Sequence, residues 1–168
     1  VEIDGKAVMA RVRAERDRFV GFVVEDINDF DDKHHVRGYA TFLDSHTLMV
    51  DTHTKLIAKR IVIAVGSRPF IPEALKSAGE QLLVNDDIFE WEALPHSVAV
   101  MGTGVIGLEL GQALSRLGVK VTMFGRSNSI GGIADPAIKA YAAETFREEF
   151  DLHLNTQVVA ARRAGQCV

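Results

Sequence analysis

Apolar residues between Lys6 and Ile27 recur at Val8, Val12, Phe19, Val23 and Ile27, a spacing near four that predicts a helix with one apolar stripe. Arg11, Arg13, Arg16, Asp17 and Arg18 fall between them and form most of its wet face. Residues 28–35 crowd Asp29, Asp31, Asp32, His34 and His35 together in no spacing typical of a metal motif, which marks a solvated loop. Three β-rich runs follow, Tyr39 to Leu43, Thr47 to Val50 and Leu56 to Val65. Asp44-Ser45 and Asp51-Thr52-His53 separate them, so they predict an antiparallel meander. The third run ends in Ile61-Val62-Ile63-Ala64-Val65, an apolar stretch of the kind buried on both faces of a sheet. Pro69 and Pro72 then impose an extended crossover, and a polar, helix-like stretch covers residues 86–94.

From Pro95 the pattern changes. Ser97 to Met101 predicts a strand, Val105 to Leu117 a helix closed by Gly118, and Val119 to Phe124 a second strand. A helix from Pro136 to about residue 150 follows. Asp135 serves as its N-cap and Pro136 takes the first helical position, where a missing N–H costs nothing. Its stripe is Ile138, Tyr141, Ala142, Phe146 and Phe150, and Leu152, Leu154, Val158 and Val159 suggest one more strand. The order β-α-β-α-β is the unit of a parallel, doubly wound α/β sheet.

Composition adds exclusions. The 168 residues are 47% hydrophobic and 25% charged, enough apolar content for a real core and no sign of a disordered or fibrous chain. A net charge of −4 offers no positive field for a nucleic acid or an anionic membrane, so neither is expected as a partner. No run approaches the ~18 apolar residues of a membrane span, and a soluble chain is expected. The single cysteine, Cys167, excludes an internal disulfide or a thiolate zinc cage and fits a reducing, cytoplasmic compartment. A start at Val1 and an end without a helix cap or polar tail suggest a piece of a longer chain.

The informative motif is Gly102-Thr103-Gly104-Val105-Ile106-Gly107, set between a predicted strand and a predicted helix. In that setting Gly102 makes the tight turn, Gly104 lets the backbone approach a pyrophosphate, and Gly107 brings helix against strand. The phosphates would face the free N–H groups at the helix start. About 20 residues past the first glycine, an NAD-binding unit places Asp or Glu on the ribose hydroxyls. This chain has Phe124-Gly125-Arg126-Ser127 there, with no carboxylate and with a fixed cation able to pair with the 2′-phosphate of NADP. Glu109, among Val105, Ile106, Leu108 and Leu110, either faces water or meets a cation or a ribose.

The segment Leu94-Pro95-His96-Ser97-Val98-Ala99-Val100-Met101 with the glycine motif and Leu108-Glu109, preceded by Arg60-Ile61-Val62-Ile63-Ala64-Val65-Gly66-Ser67-Arg68-Pro69, resembles the middle of a pyridine nucleotide-disulfide oxidoreductase. Within that family the likeness is greatest to the dihydrolipoamide dehydrogenases. The resemblance implies a FAD domain and an NAD(P) domain in one chain, with electrons passing between a dithiol or disulfide substrate, flavin and nicotinamide. It implies that residues 1–68 belong to the FAD-binding segment and residues 69–168 to the first half of a Rossmann-type NAD(P)-binding domain.

By the same resemblance, Gly38-Tyr39-Ala40 would lie by the adenine of FAD. Ala64-Val65-Gly66 would be the strand end that touches the flavin nucleotide, with Val65 in place of the family's threonine. Val105, Ile106 and Glu109 would contact the nicotinamide end. Arg126 falls where glutathione reductases carry an NADP-binding arginine, whereas dihydrolipoamide dehydrogenases carry a glutamate at the place of Gly125. Cofactor and substrate readings therefore point to NADP and to dihydrolipoamide respectively. The family's first flavin-binding glycine turn, its Cys-x4-Cys disulfide and its His-Glu base have no match here. The resemblance thus implies a central segment of a homodimeric flavoenzyme that by itself lacks the redox chemistry. A self-contained NADP reductase and a non-catalytic nucleotide-sensing module are the other readings.

Overall fold

Strand β1 (Ala40–Asp44), β2 (Thr47–Val50) and β3 (Thr54–Ile57) pair in that order as an antiparallel sheet. This is a computed structural model, and it describes residues 2–162. Cys167 lies outside the described residues. Contacts divide the chain into two units, residues 17–68 and residues 1–16 with 69–168.

In residues 17–68 the meander forms by hairpins, with Asp51 at φ 50° in the turn between β2 and β3. The expected third strand, Leu56 to Val65, ends at Ile57. Its partner β2 starts at Thr47, which pairs with Ile57, and the Ala58 N–H makes the last bond, to His46 O at 2.9 Å. Beyond that point no described strand offers partners to Ile61-Val62-Ile63-Ala64-Val65. A run expected to be buried on both faces is instead exposed at Val62, Ile63 and Val65. The loop at 28–35 carries a short 3-10 turn, Asp32–His34, capped by Asp31, which accepts from Lys33 N. Lys33 also holds the Asp31 carboxyl below its ordinary pKa by hydrogen bonding.

Helix α1 (Gly5–Asn28) begins in one unit and continues into the other. Its stripe is only partly realised: Met9 is its buried residue, while Phe19, Val23 and Ile27 are exposed. Arg13 and Arg16, expected on the wet face, are half-buried and turn to the segment around a 3-10 turn, Asp87–Glu90. Arg13 donates to Trp91 O, and Arg16 donates to Phe89 O at 2.8 Å and pairs with Glu90 at 2.6 Å. Another 3-10 segment, Glu73–Gln81, follows Pro72, with no counterpart in the sequence reading.

The parallel sheet is β4 (Ser97–Met101), β5 (Lys120–Phe124) and β6 (Asp151–His153), in that order. Helices α2 (Val105–Arg116) and α3 (Pro136–Glu149) make the crossovers, which gives the expected β-α-β-α-β. The last strand is shorter than expected, since Leu154, Val158 and Val159 lie outside it. The core joins Met123 and Ile130, both fully buried, to Leu108, Leu114, Val121, Ala143, Phe150 and Leu152. Ile138 and Tyr141 of the expected α3 stripe are exposed, because Ala143 rather than Tyr141 faces the core. Glu149 ties the two helices, accepting from Arg116 Nε at 2.8 Å and from Gln112 Nε2 at 2.6 Å. The Arg116 guanidinium holds the Glu149 carboxyl below its ordinary pKa.

Asp135 accepts from Ala137 N at 2.8 Å and Ile138 N at 3.0 Å, so it caps α3 as its sequence predicts. Asp135→Ala is expected to cost ~1 kcal/mol, a fall of roughly 2–4 °C in melting midpoint for a chain of this size. A thermal scan by circular dichroism reads it, and an unchanged midpoint would show the cap to be idle.

Candidate functional site

The glycine turn sits where β4 stops and α2 starts. Gly102 donates to Phe124 O at 2.8 Å and has φ 124°, a left-handed backbone that glycine tolerates and that turns the chain out of the sheet. Thr103 is buried, with its hydroxyl donating to Ser129 O at 2.6 Å and its carbonyl accepting from Gly131 N at 2.8 Å. Those two bonds fasten the loop after β5 to the turn. Gly104 is the N-cap of α2, with no side-chain cap bond and no acidic residue in the first helical turn. The first N–H groups and the positive end of the helix are thus left open to a ligand. A Cβ at Gly104 would meet nothing within 4 Å, so the space above the turn is free. At Gly107 a Cβ would run into the Gly102 carbonyl oxygen, which fixes how closely helix and strand pack.

At the end of β5, Gly125 is buried and bonded on both sides, donating to His153 O at 2.8 Å and accepting from Thr156 N at 2.9 Å. Arg126 follows in an exposed loop and makes no ion pair among the described residues. Val105 and Ile106 are each 56% exposed at the helix start. Glu109 is exposed and has no hydrogen-bond partner among the described residues. Beside it lies a cleft of about 210 Å³ lined by Val105, Leu108, Glu109, Gln112, Ile130, Gly131, Ile133 and Phe146.

The structure therefore gathers Gly102, Thr103, Gly104, Val105, Ile106, Glu109, Gly125 and Arg126 within one unit. Ala40, Ala64 and Gly66 belong to the other unit. Ala40 is an exposed residue of β1 paired with Val50, and Ala64 and Gly66 are exposed in a stretch outside any helix or strand. The turn fits a dinucleotide's pyrophosphate: open space over Gly104, an uncapped helix start and a glycine-tight helix–strand contact. The described residues of 17–68 form an antiparallel sheet and contain no strand–turn–helix like the one at Gly102–Gly107. Sequence reasoning missed the lock between Thr103 and the 126–131 loop, because its two bonds join residues far apart in the chain. Among the described residues no group of three His, Cys, Asp or Glu could hold a metal ion, and no helix is long and apolar enough to cross a membrane.

The family profile described as pyridine nucleotide-disulphide oxidoreductase matches residues 20–168. The chain belongs to the pyridine nucleotide-disulphide oxidoreductase family. Members of this family are enzymes that use FAD and NAD(P)H. A soluble pyridine nucleotide transhydrogenase of Mycobacterium tuberculosis is 33% identical over 106 residues, 60% of this chain and 23% of the relative. A mercuric reductase of Staphylococcus aureus is 32% identical over 114 residues, 68% of this chain and 21% of the relative. The chain spans under a quarter of the length of these curated relatives.

Among solved structures, LpdA from Mycobacterium tuberculosis matches at a TM-score of 0.77 and 22% identity, covering 98% of this chain and 38% of that one. The Cu(II) complex of the HOCl-induced flavoprotein disulfide reductase RclA from Escherichia coli matches at 0.76 and 21%, covering 92% and 37%. At such identities the likeness speaks for the fold.

Proposed function

We propose that this oxidoreductase-family chain carries the pyridine-nucleotide turn of a flavin-dependent dithiol–disulfide oxidoreductase. The observation that carries the reading is the open, uncapped α2 start at Gly104, framed by Gly102 and Gly107. The backbone N–H groups of residues 104–106 would hold the pyrophosphate, Val105, Ile106 and Glu109 would flank the nicotinamide end, and Gly125 and Arg126 would meet the adenosine ribose. FAD, when bound, supplies the electron relay between substrate and nicotinamide. Ala40, Ala64 and Gly66 are its proposed contacts within residues 1–68, on the strength of the sequence resemblance alone. A homodimeric, cytoplasmic parent belongs to the same proposal.

Two substrate readings follow from different residues. The stretches 60–69 and 94–109 favour dihydrolipoamide with NAD, whereas Arg126 with no acid at Gly125 favours an NADPH-dependent disulfide reductase. The deciding experiment assays the longer protein that carries this segment, because a disulfide needs two cysteines and the chain holds one. Turnover of dihydrolipoamide with NAD supports the first, reduction of glutathione disulfide by NADPH supports the second, and absence of any dithiol or disulfide turnover contradicts both.

An exposed Arg126 contributes less than a buried charge-assisted bond, about 1 kcal/mol after solvent screening, or roughly fivefold in affinity. Arg126→Ala is therefore expected to weaken NADPH roughly fivefold and leave NADH nearly unchanged. Paired titrations of the two nucleotides check it; an unaltered ratio would make Arg126 a plain surface residue.

A further inference from the structure

Gly125 directly follows the last residue of β5, about 20 residues past the first glycine of the turn, the region where a nucleotide-binding unit places a ribose-binding carboxylate. In this chain the position is walled off. A Cβ built on Gly125 would stand 2.8 Å from Thr103 Oγ1, 2.9 Å from Thr103 Cγ2 and 3.2 Å from Leu154 Cδ2. The leucine methyl ends a flexible side chain and can yield by a few tenths of an ångström. Thr103 cannot, because its side chain is buried, its hydroxyl is bonded to Ser129 O at 2.6 Å and its carbonyl is bonded to Gly131 N. Gly125 has no room to retreat either, being bonded through both its N–H and its carbonyl.

We propose that Thr103 is a specificity-determining residue: by filling the space beside Gly125 it bars a ribose-binding carboxylate and leaves the adenosine end to Arg126. The inference rests on the reading of the turn as a pyridine-nucleotide site and adds a determinant on β4's exit to the one on β5's end. Thr103 works on nucleotide choice through Gly125, so it is a positioning residue. Its consequence is that an acid introduced at 125 is useless while Thr103 remains. Thr103→Ala removes both obstructing atoms, Oγ1 and Cγ2, at the loss of the hydroxyl bond to Ser129 O, and keeps the backbone bond from Gly131 N to the Thr103 carbonyl.

The test uses the 168-residue chain with Gly125→Ala and Gly125→Glu, each alone and combined with Thr103→Ala. Melting midpoints and dissociation constants for NADH and NADPH are measured. Gly125→Ala alone should lower the midpoint by roughly 3–10 °C, and adding Thr103→Ala should restore at least about half of that loss. Gly125→Glu should move the NADH-to-NADPH affinity ratio roughly tenfold toward NADH only when Thr103→Ala accompanies it. The same shift with Thr103 in place, or a Gly125→Ala chain that melts like the wild type, overturns the inference while leaving the nucleotide site standing. A wild-type chain that binds neither nucleotide overturns the site reading itself, and the specificity role with it.

Discussion

Gly107→Val is expected to unseat α2 and abolish nucleotide binding in a single substitution. A Cβ at 107 would strike the carbonyl oxygen of Gly102 and come within 3.6 Å of Val100 Cγ1. The oxygen belongs to the backbone, and the Gly102 N–H is itself bonded to Phe124 O at 2.8 Å, so neither partner can step aside. The remaining response is to lift the start of the helix off β4, which dismantles the turn. Overpacking a tight contact costs ~1–3 kcal/mol, and a β-branched residue against fixed backbone belongs at the upper end. Against a total stability of ~5–15 kcal/mol this is a fall of roughly 6–12 °C in melting midpoint. A variant that melts within about 2 °C of the wild type and still binds nucleotide would refute the assignment of Gly107 to helix–strand contact.

The second large effect lies in the core. Met123 is fully buried on β5, and its Cε occupies the notch left by the missing side chain of Gly111 on α2. Met123→Ala should cost ~2–5 kcal/mol through lost transfer energy and the cavity left behind. Because the methionine tip and Gly111 share one space, Gly111→Ala should crowd the wild type, offsetting the ~1 kcal/mol that alanine gains over glycine inside a helix, and should partly rescue Met123→Ala by filling. Urea denaturation of the two single variants and the double variant forms a cycle, and the expected coupling is ~0.5–3 kcal/mol in the favourable direction. Strict additivity would mean that the two residues do not share the notch.

What the sequence made legible was local. The strand at Ser97–Met101, the helix from Val105, the strand ending at Phe124 and the helix capped by Asp135 stood out because hydrophobic period and turn chemistry agree within a few residues. The glycine motif carried its own meaning because its neighbours are a strand and a helix. Long-range relations were hidden. Ile61-Val62-Ile63-Ala64-Val65 has the composition of a buried strand, yet a strand needs a neighbour, and β2 is spent at Thr47. The stripe on α1 reads as one face from Val8 to Ile27, whereas burial reaches Met9 and spares Phe19 and Val23. Arg13 and Arg16 read as solvated charges until their carbonyl partners near residues 89–91 are known.

The site follows the same division. Gly102, Gly104 and Gly107 were visible as a fingerprint, and Arg126 as a cation at the expected distance. The tie from Thr103 to Ser129 spans 26 residues and joins the turn after β4 to the loop after β5, so no local pattern announces it. For that reason Gly125 looked like a missing acid, when its buried surroundings leave no space for a side chain.

The central claim is that the α2 start holds a pyridine nucleotide, and Gly104→Val tests it most directly. Gly104 has φ −73° and nothing within 4 Å of a Cβ, so valine there should leave the fold intact while filling the space above the turn. Titrating NADPH and NADH into the 168-residue chain by nicotinamide fluorescence, with and without the substitution, reads the site alone. Saturable binding by the wild type, tighter for NADPH, weakened at least about tenfold by Gly104→Val with the melting midpoint lowered by no more than the roughly 2–4 °C of a lost N-cap preference, is the predicted result. A wild-type chain that binds neither nucleotide, or a Gly104→Val chain that binds them as well as the wild type, would contradict it.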